Sequence, residues 1–136
     1  PNPPVAPPMS AITQKRKPNS NRDVEYDFNE NKVKLKIKDD LGKLLYHKHN
    51  LVTSAIKHEY YEISNNAPLS SMAQISWSFE YSRDNWMTRT VTETIMTSDE
   101  KYYYLTAKVR AYENEKTIFE KSFKHKIIRV NGKPCY

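Results

Sequence analysis

Hydrophobic and polar residues alternate with period two along most of this chain. From Asp23, the residues Val24, Tyr26 and Phe28 alternate with charged or polar neighbours, Asn29-Glu30-Asn31 supply a turn, and Val33, Leu35 and Ile37 alternate with Lys32, Lys34, Lys36 and Lys38. This predicts a two-strand hairpin with one wet face, because successive side chains of a strand point to opposite sides. Asp39-Asp40-Leu41-Gly42 reads as the next turn, with a glycine where positive φ costs least. A third strand is expected over 43–48 and a fourth over 55–63, after which Asn65-Asn66-Ala67-Pro68 breaks the chain. The clearest strand follows, with Ile75, Trp77, Phe79 and Tyr81 on one face and Ser76, Ser78 and Glu80 on the other. Arg83-Asp84-Asn85 turns it back.

From Trp86 to Met96 the threonines 88, 90, 92 and 94 share a face opposite Met87, Arg89, Val91, Glu93 and Ile95, and their β-branching favours extended backbone. A turn at Ser98-Asp99-Glu100 leads to a strand with Tyr103, Leu105, Ala107, Val109 and Ala111 on one side. Glu113-Asn114-Glu115 ends it, and Phe119, Phe123 and Ile127 continue the pattern to about Arg129, with Asn131-Gly132 closing the domain. Seven or eight strands joined by short turns predict an all-β antiparallel meander, since parallel neighbours would need long crossovers. An up-and-down barrel and a strongly bent sheet or sandwich both satisfy this pattern.

Composition changes the picture mainly at the ends. Five of the eight prolines fall in the first eight residues, so 1–21 reads as a Pro/Asn/Ser-rich linker, 22–131 as a single β domain and 132–136 as a tail. The chain is expected to continue upstream; a start at Met9 is the other reading. At 136 residues one core is expected, burying roughly two thirds of the unfolded surface. The 22 basic and 16 acidic residues give a formal charge of +6, but lysines alternate along strands and acids intersperse them, so a nucleic-acid partner is disfavoured. One cysteine, Cys135, excludes a disulfide framework. With no apolar run of membrane-spanning length, a soluble domain in a cytoplasmic setting is expected, without a membrane partner.

The chemistry the chain lacks is also informative. Only Gly42 and Gly132 are present, so there is no glycine-rich phosphate loop, dinucleotide fingerprint or G-x-S-x-G nucleophile elbow. No catalytic residue and no cofactor is assigned. His47 and His49 would share a strand face, but no third or fourth ligand has supporting spacing, so no metal is assigned either. The candidate ligand contacts are the aromatic stripe Trp77, Phe79 and Tyr81, together with Arg89 and Glu93, which could form an ion pair inside a barrel or at an interface. Ordinary core packing for the aromatics and ordinary strand charges for the pair are the competing readings.

Residues 3–129 contain a succession of short segments: Pro3-Pro4-Val5-Ala6-Pro7-Pro8; Val33 to Gly42, ending Ile37-Lys38-Asp39-Asp40-Leu41-Gly42; and Tyr60-Tyr61-Glu62-Ile63 followed by Ala67-Pro68-Leu69-Ser70. They continue with Asn85 to Thr94, Met96-Thr97-Ser98-Asp99, Ala111-Tyr112-Glu113, Ile118-Phe119-Glu120 and Lys126-Ile127-Ile128-Arg129. In order and spacing this resembles the C-terminal extension of the longer cocaine-esterase-like (CocE/NonD) acyl hydrolases, which include X-Pro dipeptidyl peptidases. Phe123 stands where the family pattern has tryptophan and Ile128 where it has proline. The resemblance implies a parent enzyme whose α/β-hydrolase domain carries a Ser-Asp-His triad upstream, with this chain as a non-catalytic accessory domain. None of the triad maps onto it. The implied partner is the preceding hydrolase domain of the same chain; a homo-oligomer contact is the other partner considered. The alternative function is a stand-alone lipocalin-like β-barrel for a small apolar molecule.

Overall fold

The computed structural model describes residues 11–129. The Pro-rich lead-in, the Asn131-Gly132 turn and Cys135 lie outside them. Among the described residues eight strands run in chain order: β1 (Ile12–Arg16), β2 (Asn19–Asp27), β3 (Lys32–Tyr46), β4 (Leu51–Ser64), β5 (Ala67–Arg83), β6 (Trp86–Ser98), β7 (Tyr102–Glu113) and β8 (Lys116–Ile128). A three-residue 3-10 turn, His47–His49, links β3 to β4. All pairings are antiparallel, and β3 through β8 form a meander. The fold is thus the expected all-β meander. Among the described residues nothing pairs β8 with β1 or β2, so the sheet stays open and does not close as a barrel.

β1 and β2 lie end to end along one side of β3. Ile12 pairs with Tyr46 and Arg16 with Lys43, and Asn19 to Asp27 then pair with Asp40 to Lys32. Pro18 interrupts this edge because it has no N–H to give to the ladder. Opposite the interruption β3 bulges at Leu41-Gly42, with Gly42 at φ +86. Arg16 holds the junction, donating to Asp40 Oδ1 at 2.8 Å and Ser54 Oγ at 2.8 Å, and the Gly42 N–H donates to the same Asp40 oxygen at 2.8 Å. Asp40 and Gly42 are the buried residues of the described chain.

Two details differ from the sequence-based expectation. Residues 12–21, read as linker, are largely strand, because β3 offers them a pairing edge that no local hydrophobic pattern announces. Asp39-Asp40-Leu41-Gly42 is a bulge within one fifteen-residue strand instead of a turn between two. Glycine at positive φ suits either conformation.

The hairpin turns are made almost without glycine. Asn31, Asn50, Asn66, Asp84 and Asn114 all take positive φ, one at each of five strand connections. Asn and Asp tolerate the left-handed region better than other side chains. The remaining hairpin connection, β6 to β7, is closed by Asp99, whose Oδ1 accepts from the N–H groups of Lys101 and Tyr102, each at 2.7 Å.

Candidate functional site

Cross-strand register sorts the side chains into two faces. Ile75, Trp77, Phe79 and Tyr81 of β5 stand opposite Thr94, Thr92, Thr90 and Thr88 of β6. Those threonines pair in turn with Ala107, Val109, Ala111 and Glu113 of β7. Phe119, Phe123 and Ile127 of β8 pair with Ala111, Ala107 and Tyr103, and the same face runs back through Tyr61 and Ala55 of β4 to Leu35 and Val24. This is one apolar face across the whole sheet. The other face carries the ion pairs Lys34–Asp27, Lys36–Glu25, Lys43–Glu80 and Arg110–Glu93, at 2.7 to 2.9 Å.

Nothing in the described chain covers the apolar face. No hydrophobic side chain there is buried, and Tyr81, Trp86 and Met96 are each about 45% exposed. The sheet bends toward this face: Val33 and Leu35 of β3, Tyr61 and Ile63 of β4, Met96 of β6 and Tyr103 of β7 converge on one cavity of about 420 Å³. A second hollow of about 260 Å³ lies among Leu44, Ala55, Phe79 and Tyr81. Both are lined mainly by hydrocarbon.

A charged trio sits on the apolar face. Lys57 bridges Asp39, at 2.9 Å, and Glu59, and its ammonium lies 5.6 Å from the Trp77 ring centroid. Glu59 also accepts from the Tyr61 hydroxyl, and Asp39 from Ser20 Oγ at 2.8 Å. The Lys57 hydrogen bonds hold both carboxyls below their ordinary values and raise the lysine, with the Glu59 bond the larger cause for the lysine. The trio is self-satisfied, with one carboxylate in excess of its cation.

The structure divides the sequence-derived candidates. Trp77 and Phe79 stack at 5.2 Å between centroids with a 9° interplanar angle, and Tyr81 follows them on the apolar face. Arg89 and Glu93 lie on the opposite face. The two-residue turn pairs Arg83 with Trp86, so odd positions of β5 share a face with even positions of β6. Arg89 and Glu93 do not pair with each other either: Glu93 accepts from Arg110 at 2.7 Å, and Arg89 packs 4.5 Å from the Tyr112 ring centroid with its Nε buried and without an acceptor among the described residues. The five residues therefore do not form one site.

The histidines form no common site. His47 and His49 occupy the 3-10 turn instead of a strand face, and His47 Nε2 lies 2.7 Å from Thr13 Oγ1. No group of three His, Cys, Asp or Glu among the described residues is arranged to hold a metal. No helix of the described chain is long and apolar enough to cross a membrane. Sequence reasoning missed the cavity side chains Val33, Tyr61, Met96 and Tyr103, which belong to four different strands. Each was visible as an apolar strand position; their convergence depends on sheet curvature, which has no local sequence signal.

Comparison with known proteins gives no match to any family model, curated protein or solved structure.

Proposed function

We propose that this chain is a non-catalytic accessory domain of a larger acyl hydrolase, and that its apolar sheet face packs against the hydrolase part of the same polypeptide. The observation that carries this reading is the uncovered apolar face. A sheet that is apolar on one side is stabilised by burying that side against a second layer, and here no second layer is present among the described residues. The resemblance to the C-terminal extension of CocE/NonD hydrolases supports reading that layer as an upstream α/β-hydrolase domain, which in that family carries the Ser-Asp-His chemistry. The chain's own contribution is to bury surface and hold the enzyme's shape or substrate access, in a cytoplasmic setting suited to its single cysteine.

An immunoblot of the source cell with an antibody against this chain tests the reading. A band several times larger than the 16.0 kDa of the 136 residues supports it. A band near that mass overturns it and favours the second reading, a small-molecule carrier, for which the cavity of about 420 Å³ is the supporting observation. The carrier reading predicts that a medium-chain fatty acid raises the melting temperature in a dose-dependent way.

A further inference from the structure

β8 is an edge strand of thirteen residues paired with β7 on one side only. Its outer backbone N–H and C=O groups have no partner among the described residues, and every residue along it is exposed. Lys116, Lys121, Lys124 and Lys126 would ordinarily discourage pairing at such an edge. The order of residues around Phe123 acts against this.

We propose that β8 is a self-association surface, pairing antiparallel with β8 of a second copy about a two-fold axis at Phe123. In that register Phe119 faces the partner's Ile127 and Ile127 the partner's Phe119, while the two Phe123 rings meet at the axis. All three positions are on the apolar face, and Phe119 and Ile127 are half exposed. On the other face Glu120 meets Lys126 twice, once on each side of the axis, because these residues pair with Arg110 and Tyr104 of β7 and so share that face. Opposite charges and apolar pairs directly across an antiparallel ladder are both favourable, and a two-fold makes each contact count twice.

Neighbouring registers are poorer. Centring on Lys121 sets that lysine against itself and Lys116 against Lys126; centring on Ser122 sets Phe119 against His125. The opposite edge has no such match: β2 carries Asp23, Glu25 and Asp27 on one face, so pairing it with itself about Val24 or Glu25 sets acids against acids. The paired form joins two open sheets into one with a continuous apolar face. This edge contact is separate from the face assigned to the hydrolase domain, and it holds or fails independently of that assignment.

Sedimentation of the 136-residue chain across a concentration series tests the proposal. The chain should dimerise, Glu120→Lys should weaken the dimer about tenfold or more, and combining it with Lys126→Glu should restore affinity, since the charge pairs across the dimer are then exchanged instead of lost, while the Glu120–Lys108 pair within each chain is removed in both variants alike. In a Cys135→Ser background, Phe123→Cys should give a covalent dimer on oxidation and Ser122→Cys should not, because directly opposed positions lie within disulfide reach. A chain that stays monomeric overturns the proposal. So does a dimer indifferent to Glu120→Lys, a double variant without recovery, or cross-linking through position 122 as readily as through 123.

Discussion

Asn66 shows how this chain turns with so little glycine. It takes φ +60 between β4 and β5, its side chain makes no hydrogen bond to the described residues, and the tolerance of asparagine for the left-handed region fits it there. Asn66→Ala should therefore cost about 1 kcal/mol and Asn66→Gly almost nothing, as read by urea denaturation. At the same scale, the Asp39–Lys57–Glu59 trio sets a pH dependence. Both carboxyls lie lower in the folded chain than their ordinary values of 3.8 and 4.5, mainly through the lysine's hydrogen bonds. The stability they contribute is therefore present above those values and is lost as pH falls through them toward the lower folded ones. Asp39→Asn should flatten the acid limb of a stability profile measured below about pH 5, and leave the neutral region nearly level.

Among the elements, the junction of β1, β2 and β3 is the most constrained. A Cβ at Gly42 would lie 2.6 Å from the Arg16 carbonyl oxygen, at a φ that L side chains avoid. Gly42→Ala should cost about 2 kcal/mol or more and release β1 first, seen as faster amide exchange at residues 12–16 than along β4 and β5. This junction also marks the limit of what the sequence discloses about elements. Strands with clean alternation, such as Ile75-Trp77-Phe79-Tyr81 and the threonine run 88–94, lie where the pattern puts them, because period two is a property of the strand itself. Residues 12–21 have no such pattern; they are strand because β3 extends far enough to pair with them. The Asp39–Gly42 segment holds turn residues, yet the same residues serve a bulge, and only the partner strand decides. For the candidate site, the aromatic stripe was legible for the same local reason. The separation of Arg89 and Glu93 from it follows from how many residues the Asp84-Asn85 turn contains.

For the molecule as a whole, one open layer whose apolar face no described residue covers predicts unusual mutational behaviour. Truncating a core phenylalanine commonly costs 3 to 5 kcal/mol. Phe79→Ala should cost roughly 1 to 2 kcal/mol in the isolated chain, since among the described residues the ring contacts only its own sheet, and should weaken association with the proposed hydrolase domain far more. Hydroxyl-radical labelling of Tyr81, Trp86, Met96 and Tyr103 tests whether this face is open in the 136-residue chain and closed by the proposed hydrolase domain. All four should label readily in the folded isolated chain and be strongly protected when the proposed upstream hydrolase domain is joined to it. Protection of these four side chains in the isolated chain, or labelling unchanged by the hydrolase domain, would contradict it.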